Sequence, residues 1–146
     1  MKNVVWNVIA VVLGLVVGGA VNMGLIVAGP HVIPVPPGVD MTTVEGLKAG
    51  INLLGPHHFI FPFVAHALGT FAGALVGALV AASHRMKIAL GISALNLLGG
   101  IMAASMIPAP MWFVALDLVV AYVPMGWLAG MIAKGLRGDR VVVQHA

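Results

Sequence analysis

The residues of this chain best suited to chemistry are a carboxylate and an imidazole that lie within long apolar stretches, Asp117 and His66. Within a bilayer an ionised carboxylate is costly unless it is paired, protonated or hydrated. No Lys or Arg lies at a matching depth, so His66 is the leading predicted partner of Asp117. Such a pair is a structural hydrogen bond that fixes helix register, a proton-responsive site, or part of a metal or cofactor site.

Three further polar residues are predicted to share the same interior, namely Asn22, Asn96 and Tyr122. At a rise of about 1.5 Å per residue, Asn22, His66 and Asp117 fall within roughly 8–14 Å of the outer membrane boundary, and Asn96 lies nearer mid-depth. Tyr122 is too deep for an interfacial anchor, so its hydroxyl needs an interior partner. Each apolar stretch thus contributes a strongly polar group, and together these residues predict a ligand or proton site.

A second candidate site at the outer mouth consists of His31, His57 and His58. With Asp117 these residues supply enough ligands for a metal ion, although nothing in their spacing requires one. On a helix, adjacent side chains point about 100° apart, so His57 and His58 face one ion only if that turn is non-helical. A haem is less favoured, because His66 has no second axial histidine at its depth. The identity of any metal is left open, and no cofactor is predicted.

The composition places these residues in a membrane protein. Of the 146 residues, 61% are hydrophobic and 8% are charged, whereas a soluble domain has about a quarter charged residues. This composition excludes a soluble globular fold, and its high hydrophobicity excludes a disordered chain. The absence of cysteine excludes disulfides, thiolate metal sites and cysteine nucleophiles.

Four apolar stretches are long enough to cross a hydrocarbon core of about 30 Å, which takes about 20 helical residues. In lipid, backbone polar groups must be paired within the segment, so each stretch is predicted to be a helix. We predict an all-α integral membrane protein, a four-transmembrane-helix up-and-down bundle, with spans at about 4–27, 59–82, 86–107 and 111–133. A cleaved signal peptide is disfavoured, because the first apolar run continues well beyond Ala20.

The basic residues predict the orientation, because they mark the cytoplasmic side of a membrane. Six of the seven Lys and Arg fall on one side, and Lys48 lies opposite; the six are Lys2, Arg85, Lys87, Lys134, Arg137 and Arg140. Both termini are therefore predicted to be cytoplasmic, with a short cytoplasmic tail at 134–146. The charge bias favours a bacterial inner membrane over a eukaryotic organelle. The basic residues form no stripe with interleaved aromatics, so nucleic-acid binding is not predicted.

The first outer loop, residues 28–56, is the sizeable segment outside the predicted spans. Its prolines, from Pro30 to Pro37, predict an extended first half. Thr42 and Glu45 have the spacing of a capping box, which predicts a short amphipathic helix that ends at Pro56. This helix is either a plain interfacial linker or a functional lid over the bundle mouth.

Glycines at helical spacing predict close packing between the spans, most regularly at Gly69, Gly73 and Gly77.

The sequence suggests two functions from different classes. The first is an outward-facing polar pocket that binds or passes a small ligand, proton or cation, and transport would require a homo-oligomer because four helices enclose little space. The second is a non-catalytic accessory or assembly subunit of a larger membrane complex, which the small size and the glycine faces suggest. An enzyme, with Asp117 and His66 as acid and base, is less favoured.

Overall fold

The computed structural model describes residues 2–142 and, within them, the side chains as far as Arg137. All regular structure in this range is helical, and no strand occurs in it. The helices are α1 (Lys2–Val32), α2 (Val44–Gly50), α3 (Ile60–Val80), α4 (Arg85–Met106), α5 (Met111–Val120) and α6 (Val123–Val142). Two short 3-10 turns, Ile51–Leu53 and Pro56–Phe59, lead from α2 into α3.

Four helical segments are long and apolar enough to cross a membrane. They are Lys2–Val32, Pro56–Val80, Arg85–Met106 and Met111–Arg137. The sequence-based prediction of a helical protein with four candidate membrane spans is therefore confirmed.

The central helix of the structure is α3, which packs against α1, α4 and α6. The first helix rests mainly on α3 and presents exposed apolar side chains over most of its remaining surface, among them Val8, Val12, Val16 and Met23. An exposed apolar surface of this extent suits contact with acyl chains.

The contact between α1 and α3 is made by glycine backbones. A Cβ atom added to Gly14 would lie 2.6 Å from the Gly73 carbonyl oxygen, and one added to Gly18 would lie 2.7 Å from that of Gly69. Side chains at these positions would force the two helices apart, so glycine is required for this close approach. The third glycine of the α3 face, Gly77, packs against Ile92 of α4. The face is thus used within the chain.

The two ends of the helix assembly differ in packing. At the end that carries the α3–α4 turn, hereafter the turn end, α3, α4 and α6 enclose a fully buried cluster that we call the small-residue core, formed by Ala74, Ala78, Ala89, Ile92, Ala129 and Ala133. At the opposite end, the loop end, the segment 33–59 folds back so that Ile51, Phe59 and Phe113 form a second buried cluster. Small side chains pack the turn end tightly, whereas larger side chains leave space at the loop end.

The first helix is longer than predicted and includes a proline. It continues through Pro30 to Val32, so the prediction that the chain is already extended at Pro30 is wrong. The Ile33 amide still donates to the Gly29 carbonyl at 2.8 Å, which closes the last turn. Gly29 also lets α1 approach Phe61 of α3 closely, since a Cβ there would lie 2.8 Å from the Phe61 Cβ. This packing holds the helical end although Pro30 lacks an amide donor.

The loop helix α2 forms, but its cap differs from the predicted one. Thr43 is the N-cap, and its hydroxyl accepts a 3.1 Å hydrogen bond from the Gly46 amide. Asp40 engages Thr42 instead, accepting from its amide at 2.8 Å and its hydroxyl at 2.6 Å. Glu45 therefore occupies the second helical position, so the predicted capping box is absent. The α-helix also ends at Gly50, before Pro56.

The fourth span is interrupted rather than continuous. The α5 helix ends at Val120, and α6 begins at Val123, so Ala121 and Tyr122 form a break. Pro124 lies in the first turn of α6, where its missing amide removes no helical hydrogen bond. The helix then runs through most of the predicted tail to Val142, and the end of that tail, residues 143–146, lies outside the described residues.

Candidate functional site

The structure pairs Asp117 of α5 with His66 of α3. His66 Nδ1 lies 2.9 Å from both carboxylate oxygens, Oδ1 and Oδ2. Tyr122, in the break between α5 and α6, donates a third hydrogen bond from its hydroxyl to Oδ2 at 3.1 Å. The side chain of Asp117 is 6% exposed and that of His66 is 24% exposed. The contact predicted between Asp117 and His66 is therefore present, and Tyr122 has found its interior partner.

The hydrogen bonds around Asp117 define which atom of His66 is free. An ionised carboxylate only accepts hydrogen bonds, so Nδ1 carries the proton that faces Asp117. In the neutral imidazole this leaves the Nε2 lone pair as an acceptor. Among the described side chains, those of residues 2–137, and the backbone of residues 2–142, Nε2 has no hydrogen-bond partner. It is also not one of the fully buried polar atoms that lack a partner there, so it has some exposure. The imidazole therefore offers a free, accessible acceptor nitrogen to the surrounding space.

Tyr122 also holds the imidazole from one face. The rings of Tyr122 and His66 are stacked, with centroids 5.8 Å apart and an interplanar angle of 29°. Gly100 of α4 lies directly against the Tyr122 ring, where an added Cβ would approach Cζ to 2.6 Å. In the sequence, Gly100 is one of several small residues of the third predicted span. Its contact with the Tyr122 ring joins α4 to the break between α5 and α6, and the sequence does not show such a contact between separate segments.

A cavity of about 140 Å³ at the loop end reaches the pair, and we call it the loop-end cavity. Its polar lining consists of His58, His66 and Asp117, and the rest is apolar. The apolar walls come from α1, the outer loop and three other helices, and they include Ile33, Leu47, Ile51, Phe59, Phe113 and Leu118. The loop segment around α2 therefore roofs the cavity. Sequence patterns did not reveal these walls, because they are assembled from remote segments.

A second cavity, of about 200 Å³, lies between α1, α3 and α4, and we call it the α1–α4 cavity. Its polar lining comprises Asn22, His66, Thr70, Asn96 and Tyr122. The Asn96 amide donates to the Thr70 hydroxyl at 3.3 Å. Asn22, Asn96 and Tyr122 thus share a cavity with His66, as the sequence suggested, whereas Asp117 lines the other cavity. His66 is the ionisable residue that lines both.

The histidines of the proposed outer mouth do not converge on one point. His58 is buried and its ring is held by backbone groups, since Nδ1 accepts from the Gly55 amide at 2.9 Å and Nε2 lies 3.2 Å from the Pro34 carbonyl oxygen. His57 stacks on His58 with centroids 4.0 Å apart, while His31 is exposed at the end of α1. Among the side chains that the structure describes, those of residues 2–137, no group of three or more His, Cys, Asp or Glu is placed to hold a metal ion. The hypothesis of a metal cluster of His31, His57, His58 and Asp117 is therefore wrong.

Comparison of the chain with protein-family models, curated proteins and solved structures finds no match. The chemistry of the site follows from its own geometry: a buried carboxylate, an imidazole with one free nitrogen, and an apolar space beside them. This arrangement can bind a small molecule, or accept and return a proton at Nε2.

Proposed function

We propose that this protein is a multi-pass protein of a bacterial inner membrane, an up-and-down bundle with both termini in the cytoplasm. Its loop end would then face outward, and its pocket would bind or pass a small ligand, proton or cation at Asp117 and His66. The bias of six of the seven Lys and Arg toward the turn end and the termini supports this orientation.

The observation that carries the proposal is a nearly buried carboxylate at the wall of an apolar cavity. The Asp117 side chain is 6% exposed and accepts hydrogen bonds from both His66 and Tyr122. Ionisable groups at membrane depth are functional-site candidates by default, because placing them there is costly. An apolar pocket with a few convergent polar groups is also the usual form of a small-molecule site.

The different packing of the two ends favours binding over free passage. The loop-end cavity lies toward the proposed outer side, whereas the small-residue core fills the turn end with fully buried side chains. A ligand would enter from outside and meet Asp117 and His66 before this packed layer. Passage across the membrane would require α3, α4 and α6 to separate.

The accessory-subunit alternative has less support. It drew on the glycine faces, but Gly69 and Gly73 pack against Gly18 and Gly14 of the same chain. That face is consequently not free for a partner helix. A complex would have to use the exposed apolar sides of α1 or α4 instead.

Cysteine labelling tests the orientation and the access route, since the chain contains no native cysteine. Ala104 lines the loop-end cavity, and we expect Ala104→Cys to react with a small membrane-impermeant thiol reagent added outside intact cells. The exposed Lys48→Cys should react from outside, and the exposed Lys87→Cys only after the membrane is opened. Ala129→Cys, in the small-residue core, is the unreactive control. If Lys48→Cys reacts from outside but Ala104→Cys does not, the proposed access to the cavity is wrong. If Lys87→Cys reacts with reagent added outside intact cells, the proposed orientation is wrong.

A filled cavity tests binding itself. We expect Ala104→Phe to lose small molecules that co-purify with the wild-type protein in mild detergent, as measured by mass spectrometry of the extracted ligands. Leu98→Phe is the matched control, since Leu98 is on the same helix and is 58% exposed. The same bound molecules in both variants, or none in the wild type, would contradict a binding role.

A further inference from the structure

We propose that the loop-end cavity binds a phenol-type molecule, a single aromatic ring whose hydroxyl donates a hydrogen bond to His66 Nε2. This inference rests on the proposed function, since it names the class of ligand for the same pocket. Three independent features of the cavity lead to it: its size, the nature of its walls, and the hydrogen-bonding character of its polar end.

The size of the cavity matches one six-membered ring. Its volume is about 140 Å³. An engineered apolar cavity of about 150 Å³ in another protein remains dry and binds benzene. A ring with one small substituent therefore fits, whereas a fused polycyclic system requires the roof around α2 to move.

The walls favour an aromatic ring. Phe59, Phe61 and Phe113 all line the cavity, and the rings of Phe59 and Phe113 are tilted at 44° with centroids 4.8 Å apart. Aromatic rings prefer offset or edge-to-face neighbours at such distances. An aromatic guest extends this cluster, while a flexible aliphatic chain would lose rotational freedom to fill the same space.

The polar end selects a donor without negative charge. Asp117 lines the same cavity and repels an anionic head group. His66 also lines this cavity. Because its Nδ1 donates to Asp117, Nε2 is the acceptor of the neutral ring. A hydroxyl satisfies that acceptor, whereas a ketone or ether, which has no donor, leaves it unpaired. A neutral phenol has the aromatic ring, carries a hydroxyl that donates a hydrogen bond, and has no negative charge.

The test uses Ala104→Cys protein in lipid nanodiscs, with phenol and toluene as the ligands added. Both should slow labelling of the introduced cysteine, and phenol should do so at a concentration about 3- to 10-fold lower, the value of one net hydrogen bond. Val119→Cys, on the exposed face of α5, measures how far the partition of each compound into lipid slows labelling, and the effect on Ala104→Cys is compared with it compound by compound.

A second measurement does not depend on any variant being folded. In wild-type protein labelled with ¹⁵N-histidine, phenol should shift the Nε2 resonance of His66, while toluene should leave it unchanged. The resonances of the exposed His31 and His57 serve as internal controls.

The outcomes separate the two proposals. Labelling of Ala104→Cys that phenol and toluene slow equally, or an Nε2 resonance that phenol does not shift, overturns the phenol inference and leaves the pocket intact. An Ala104→Cys that the reagent does not reach at all overturns the proposed function.

Discussion

Tyr122, in the break between α5 and α6, donates a 3.1 Å hydrogen bond to Asp117 of α5. Both residues belong to the same predicted span, five positions apart, yet the break allows the tyrosine ring to turn back toward the carboxylate. The same ring stacks on His66. Tyr122 thus supplies the third hydrogen bond to the Asp117 carboxylate, and it also packs against the imidazole of His66.

Removing the Tyr122 hydroxyl should destabilise the protein through Asp117. We expect Tyr122→Phe to lower the free energy of unfolding by about 1–3 kcal/mol, because a buried charged acceptor loses a donor. Equilibrium unfolding in mixed detergent micelles measures this change. In an Asp117→Asn background the same substitution should cost much less, and an equal cost in both backgrounds would show that the hydroxyl does not act through the carboxylate.

Breaking the His66–Asp117 pair from one side should be more damaging than replacing both residues. We expect His66→Leu to lower the free energy of unfolding by roughly 3–5 kcal/mol, since it leaves a nearly buried carboxylate without its main partner. The double variant His66→Leu/Asp117→Leu should recover much of that loss in the same unfolding assay. A double variant no more stable than His66→Leu would contradict an unpaired charge as the cause.

The glycine contact between α1 and α3 should tolerate no side chain. We expect Gly18→Ala to destabilise the protein by about 1–3 kcal/mol, the usual cost of overpacking, because its Cβ would lie 2.7 Å from the Gly69 carbonyl oxygen. Gly24→Ala, on the same helix, is the matched control, since a Cβ there meets nothing within 4 Å. Thermal unfolding of the two purified variants distinguishes them, and equal midpoints would mean that the helices are not in backbone contact.

The start of the loop helix should loosen in acid. The hydrogen bonds from the Thr42 side chain and amide, and then from Thr43, hold the pKa of the Asp40 carboxyl below its usual value of 3.8. The folded state thus favours the ionised form, so its contribution is complete above pH 3.8 and is lost as the pH falls through the lowered pKa. Hydrogen exchange at the Thr42 amide, corrected for its intrinsic pH dependence, should show less protection in acid.

The control for this prediction is Asp40→Asn, which has no charge to lose. In that variant, protection of the Thr42 amide should be lower at neutral pH and should change little on acidification. A wild-type protein whose protection is unchanged well below pH 3.8 would exclude Asp40 as the cause.

Local physical chemistry explains which features of the fold were predictable. Each membrane span must satisfy its own backbone hydrogen bonds, so the four stretches could be recognised from length and composition alone. Depth is also a local quantity, since it follows from the helical rise, and this predicted that His66 and Asp117 lie at similar levels. Two features were not predicted, namely that α1 continues through Pro30 and that the fourth span breaks at Tyr122. Both depend on packing against other helices, which the local sequence does not specify.

What the sequence by itself determined is a helical chain with four candidate spans and a few polar side chains at a shared depth. Only the tertiary structure decided that His66 and Asp117, 51 positions apart, touch, that His66 lines two cavities, and that the outer loop folds back as a roof. The reason is that these features require particular rotations of each helix about its axis and particular contacts between remote segments. Hydropathy specifies neither, because lipid accepts any apolar face equally.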